Sequence, residues 1–111
     1  FDSDDHGQTW QLGGSVGDHT DECQVVELHD GRLMINMRNY RARDGGKPEL
    51  GGKRAVSLSG DGGESWEEIT FDSTLIEPVC QASFLKHSND AFRKAPLLFS
   101  NPASATERGP R

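Results

Sequence analysis

The residue types that could do chemistry here fall into a few groups. Asp5 and Asp61 are carboxylates, each followed five positions on by an indole, Trp10 and Trp66. Such pairs could serve as acid–base groups beside stacking platforms. Their surroundings argue instead for a turn. Ser3-Asp4-Asp5-His6-Gly7-Gln8-Thr9-Trp10 returns as Ser59-Gly60-Asp61-Gly62-Gly63-Glu64-Ser65-Trp66, every matched position shifted by 56 residues. The Asp accepts bonds from backbone N–H groups of its own turn, Gly takes a positive φ, and Trp packs the turn onto a sheet. Ser3, Asp5, Gly7, Trp10, Ser59, Asp61, Gly63 and Trp66 are therefore read as structural. Glu22 and Arg38 fall at two strand ends, where they form either an ordinary ion pair or part of a working site. His6, His19, His29 and His87 have no ligand spacing and read as solvated loop residues, so no metal site is expected. Cys23 and Cys80 have no zinc-type spacing and read as buried thiols.

The elements that position these groups follow from composition and pattern. The chain has 111 residues and a net charge of −6, with no run of apolar residues long enough for a membrane span. An acidic balance without Lys/Arg clusters argues against nucleic acid as a partner. Thirteen glycines and five prolines break the sequence into short segments, and none shows sustained helical periodicity. Strands are predicted at 23–28 and 33–38, joined by the turn His29-Asp30-Gly31-Arg32. Further strands are predicted at 54–59 and 66–71, with 80–85 and 96–100 opening the next unit. Cys23-Gln24 returns as Cys80-Gln81 after 57 residues, nearly in step with the first repeat. Four antiparallel strands in roughly 50 to 60 residues is the arithmetic of a propeller blade. The chain reads as all-β, about two and a half blades, with the complete blade at about 22–71. Phe1 begins without a leader and Arg111 ends without a terminal element, so an internal portion of a longer protein is expected, marginal or unfolded when isolated.

These residues resemble a known family. The two turns have the form of Asp boxes, or BNR repeats. Between them lie Asp21-Glu22-Cys23-Gln24-Val25-Val26-Glu27-Leu28 and Asn36-Met37-Arg38-Asn39-Tyr40, and Arg54-Ala55-Val56-Ser57 and Leu98-Phe99-Ser100-Asn101-Pro102-Ala103 also fit. Together they resemble exo-α-sialidases, bacterial members above all, over almost the whole chain. The resemblance implies a six-bladed propeller, of which residues 1–111 would form part of a single domain, with boxes at 3–10 and 59–66. It implies hydrolysis of terminal α-linked sialic acids with retention, on sialylated oligosaccharides, glycoproteins or glycolipids, without a cofactor. In that family three arginines grip the sugar carboxylate, a Tyr is the nucleophile, a Glu activates it, and an Asp is the acid/base.

Carried over residue by residue, Glu22 becomes the Tyr partner, Arg38 the second arginine, and Arg108, six residues after Pro102, the third. Gln81 becomes a contact to the bound sugar. The nucleophile, the acid/base and the first arginine are expected outside this chain, contributed in cis by the rest of the propeller. Tyr40, the sole tyrosine, matches no nucleophile motif. The fragment alone is then not expected to be active. The chemistry is consistent with these residue types. A planar guanidinium binds a carboxylate through two parallel charge-assisted bonds, which Lys cannot do. A carboxylate nucleophile would be repelled by the substrate's own carboxylate, whereas Tyr is neutral until a base takes its proton. Two other readings stay open: a non-catalytic Asp-box propeller binding sialylated or other acidic glycans, and an Asp-box glycosidase, such as an endoglucanase, working with two carboxylates. Localisation is not legible; secreted or periplasmic is the default reading.

Overall fold

The computed structural model describes residues 1–87 and 95–105. Among them the chain is all-β, without an α-helix and with a single 3-10 turn at Pro48–Leu50. Strands β1 (Thr20–Glu27), β2 (Leu33–Asn39), β3 (Lys53–Ser59) and β4 (Thr70–Ile76) pair antiparallel in chain order. Strands β5 (Ser83–Lys86) and β6 (Leu97–Ser100) form a second antiparallel pair. The β1–β2 hairpin forms where the β-prone runs and the turn between them predict it.

The fourth strand differs from the sequence reading. It begins at Thr70 rather than Trp66 and runs on to Ile76. Trp66 and Ile69 both pack on the cluster of Ile35, Met37 and Ala55. A spacing of three cannot place two side chains on one face of a strand of period two. The segment is held instead by Glu67 N–H on the Leu58 carbonyl at 2.8 Å and by the Ser57 hydroxyl on the Glu67 carbonyl at 2.7 Å. Further along, β4 bulges against β3 between the Lys53↔Ile76 and Arg54↔Asp72 pairs. Asp72 caps this bulge, its Oδ1 accepting from the N–H of Thr74 at 2.8 Å and of Leu75 at 3.3 Å.

Both faces of the four-stranded sheet are covered. On one face Ile35, Met37 and Ala55 are buried beneath Val16, Trp66, Ile69 and Phe71. On the other face Val26, Asn36, Arg54 and Val56 lie towards the second sheet, where Phe84 is buried edge-on to Phe99. The two sheets meet at their first strands: the Gln24 side-chain carbonyl, on β1, accepts from the Phe84 N–H of β5 at 2.6 Å.

Arg54 and Glu77 stand at this junction, each 1% exposed. Arg54 Nη1 donates to Glu77 Oε2 at 2.8 Å and to the Cys80 carbonyl at 2.7 Å, and Nε donates to Asn36 Oδ1 at 2.7 Å. The Glu77 carboxylate also accepts from the N–H groups of Asn39 at 2.9 Å and Cys80 at 3.2 Å. Asn39 extends the network through its side-chain amide to the carbonyls of Leu50 and Lys53. One ion pair thus ties β2, β3 and the linker into β5.

The two repeated turns share one hydrogen-bond pattern. In the second, Ser59 Oγ donates to Asp61 Oδ1 at 2.8 Å and accepts from Gly63 N–H at 2.9 Å. Asp61 accepts from the Ser65 N–H at 2.9 Å and from the Ser65 hydroxyl. In the first, Ser3, Asp5, Gly7 and Thr9 make the corresponding bonds. Gly7 and Gly63 have φ of +85° and +97°, left-handed backbone that glycine adopts without strain, whereas a Cβ on either would make only an ordinary contact, 3.6 to 3.7 Å, with the indole that follows. The tryptophans differ. Trp66 packs into the core, whereas Trp10 is 65% exposed and its Nε1 donates within its own turn, to the Gly7 carbonyl. Beneath Trp10 there is a single bridge, Asp2↔Gln11, rather than a sheet.

Two expectations follow. Removing one member of a buried, fully bonded ion pair strands the other, at a cost of about 3–5 kcal/mol. Glu77→Leu in the whole protein is therefore expected to lower the urea midpoint strongly, and Arg54→Met with Glu77→Leu to cost less than the two single changes added together. The second concerns acid. Hydrogen bonds from Ser65 and Ser59 hold the Asp61 carboxyl at about 2, and bonds chiefly from Thr9 do the same for Asp5. A carboxyl depressed on folding stabilises the fold above its unfolded value and loses that contribution as pH falls through the folded one. The stability gap between the wild type and Asp61→Asn is expected to be constant above about pH 4 and to close towards pH 2, where the protonated acid and the amide match.

Candidate functional site

Glu22 and Arg38 come together at one end of the β1–β2 hairpin. Thr20↔Asn39 and Asp21↔Arg38 are paired, and the register then slips before Gln24↔Asn36. Glu22 and Cys23 are the residues of this bulge, and Glu22 has φ +31°, left-handed backbone that a non-glycine residue rarely adopts. A bulge of this kind re-aims a side chain at the edge of a sheet. Here it turns the Glu22 carboxylate onto Arg38, whose Nη1 donates to Glu22 Oε2. Arg38 is 13% exposed in its side chain and Glu22 42%, so the pair lies open on the Glu22 side and covered on the Arg38 side. Among the described residues Arg38 Nε is buried without a hydrogen-bond partner.

Tyr40 and Arg43 complete this end of the sheet. The Arg38 guanidinium lies over the Tyr40 ring, 4.6 Å from its centroid, and that of Arg43 lies 4.5 Å from the same centroid. Arg43 is clamped by Asp44 through two bonds, Nε to Oδ1 at 2.7 Å and Nη2 to Oδ2 at 2.8 Å. Partial burial pushes the Tyr40 phenol up, the Arg38 charge opposes this, and the neighbouring Asp21 and Glu22 carboxylates reinforce it. The Arg38 guanidinium is held above its ordinary value despite its burial, by Glu22, Tyr40 and Asp21. It is a permanent cation at any working pH.

The other site candidates are placed differently. Gln81 is exposed in the segment leading into β5, and among the described residues no hydrogen bond links it to the Glu22–Arg38 pair. Arg108 lies outside the described residues. Cys23 is exposed and Cys80 half-buried, which corrects the expectation of two equivalent buried thiols. Cys23 rides on the bulge that turns Glu22 and so leaves the period of its strand. Cys80 lies before β5 in the linker held by Arg54. Sequence reasoning passed over Tyr40 because it sought a nucleophile. Its position two residues after Arg38, on the same side of an extended chain, was the available signal. Gln24 was noted only as part of a repeat, and its bond to Phe84 joins residues 60 positions apart.

The model of the BNR repeat-like domain matches residues 1–110. A sialidase of Micromonospora viridifaciens is 44% identical over 110 residues, covering 96% of this chain and 16% of that protein. A sialidase of Bacteroides fragilis (strain YCH46) is 36% identical over 109 residues, covering 96% of this chain and 18% of that one. Among solved structures, the Hadza microbial sialidase Hz136 superimposes with a TM-score of 0.76 at 40% identity, covering 94% of this chain and 19% of that one. This chain thus spans less than a fifth of the length of each of these relatives. The six strands among its described residues are a segment of a sialidase-type β-propeller. With its strand order, its two matching turns and its similarity to sialidases along nearly its whole length, the chain belongs to the BNR repeat-like domain family.

Proposed function

We propose that the protein carrying this chain is an exo-α-sialidase, a retaining glycoside hydrolase that removes terminal α-linked sialic acids from glycoconjugates. The observation that carries the reading is the Glu22–Arg38 contact at the β1 bulge. A strained backbone, an accessible carboxylate and a largely covered arginine meet at one sheet edge, and strain of this kind clusters at working sites. In this reading Arg38 grips the sugar carboxylate as the second of three arginines, with Arg108 as the third and Gln81 as a polar contact. Glu22 takes the proton of a tyrosine supplied by another part of a six-bladed ring, so that the phenolate attacks the anomeric carbon as the glycosidic bond breaks. The aglycone leaves with a proton from the acid/base Asp, and water then releases the sugar from the tyrosine. A neutral phenol approaches an anionic substrate without the repulsion that a carboxylate nucleophile would meet. The same arginine that holds Glu22 orients the substrate beside it, which couples binding to the position of the base.

The test is hydrolysis of a fluorogenic α-sialoside by the full-length protein, with this 111-residue piece as control. Turnover is expected from the full chain and not from the piece. Glu22→Gln and Arg38→Ala are each expected to lower turnover by at least about a hundredfold. Near-normal turnover in both would overturn the assigned roles. Because the pair is partly open to water, Glu22→Gln should shift stability by less than about 1 kcal/mol by thermal melting, which separates a working carboxylate from a structural one. A folded full-length protein that binds sialic acid without cleaving a sialoside would favour the glycan-binding reading instead.

A further inference from the structure

We infer that Tyr40 is a positioning residue for Arg38, its ring holding the guanidinium plane so that the free edge faces a ligand carboxylate. The inference rests on the reading of Arg38 as the group that receives that carboxylate. An arginine bonded to protein through one terminal nitrogen can still turn about its remaining torsions. At Arg38, Nη1 carries the Glu22 bond and Nε is buried without a partner among the described residues. A face-on contact fills the missing constraint: the Tyr40 ring 4.6 Å away fixes the plane yet consumes none of the in-plane N–H groups. The ring is itself held from outside the strand, because Arg43 packs on it at 4.5 Å and is anchored by Asp44. Charges balance along the stack, with Glu22 against Arg38 and Asp44 against Arg43, so neither cation drives the other away.

The test uses the full-length protein and two probes, free sialic acid and its carboxylate methyl ester, with binding measured by calorimetry. The wild type should prefer the acid. Tyr40→Phe, which keeps the ring, should hold that preference within about twofold, and Tyr40→Leu should reduce it by about 3- to 30-fold. In an Arg38→Ala background, Tyr40→Leu should change the preference by less than about twofold, since residues acting as one unit are non-additive. With the sialoside, Tyr40→Leu should raise KM by the same factor and leave kcat within about threefold, a split that mere loss of fold stability would not produce. The inference is overturned if Tyr40→Leu keeps the full preference, if Tyr40→Phe is as impaired as Tyr40→Leu, or if the loss persists without Arg38. A wild type that prefers the acid but cleaves nothing would overturn the hydrolase reading alone, and the binding series would still decide the role of Tyr40. A wild type without preference for the acid would overturn both.

Discussion

Everything else in the fold depends on the Arg54–Glu77 contact at the junction of the two sheets. It is a costly device, because two charges are taken out of water and only dense hydrogen bonding offsets the loss. Arg54 answers with three acceptors, the Asn36 side chain, the Glu77 carboxylate and the Cys80 carbonyl, and Glu77 answers with three donors. Most of these partners lie in irregular backbone or at strand ends, where ladder bonds run out and buried N–H and C=O groups would otherwise be orphaned. Arg54 also lies 5.9 Å from the Phe99 ring, so the same side chain spans from a charged network into the apolar wedge between sheets. Apolar residues in these positions could fill the space, but they could not satisfy the backbone around them.

From that junction the geometry of the candidate site follows. Glu77 accepts the N–H of Asn39, and so pins the last residue of β2 and with it the Arg38–Tyr40 turn-out. Asn39 in turn holds the loop ahead of β3 and, through its side-chain carbonyl, the N–H of Arg41. The exposed carboxylate at the β1 bulge thus faces an arginine whose backbone is fixed from the protein interior. A mobile hairpin end would let both side chains drift; this one is tethered one residue beyond the arginine on one side and by the ladder on the other.

Much of this was legible locally. Short β-prone runs on either side of the turn His29-Asp30-Gly31-Arg32 placed the hairpin, and the repeated Ser-x-Asp-x-Gly pattern placed two turns whose hydrogen bonds close within five residues. The strand β4 was misplaced because the chain was expected to enter a strand directly after the second turn, whereas Trp66 and Ile69 share one face at a spacing of three and so cannot lie in one regular strand. Cys23 was expected to be buried because a bulge is not written in composition. It is a mismatch between two strands and appears only once they are paired. The Arg54–Glu77 pair was illegible for the same reason: its partners span residues 36 to 80, and nothing in a single segment marks an arginine as buried. Arg38 and Tyr40 were adjacent in plain sight, but their relation is a stacking geometry rather than a motif.

The bond from the Gln24 side chain to the Phe84 backbone has a consequence of its own. Two strands in separate sheets that exchanged a full ladder would be forced into one continuous plane. A side-chain arm fastens these two strands at one point, and the other bonds across the junction also run through side chains, Arg54 to the Cys80 carbonyl and the Asn101 amide to the Ile76 carbonyl, so no ladder fixes the opening between the sheets. That opening is then set by the bulk wedged behind the pivot, Phe84 against Phe99 with Arg54 beside them. The angle between the sheets becomes a property of side-chain volume, adjustable by one methylene at a time, while the strand pairing within each sheet remains the same.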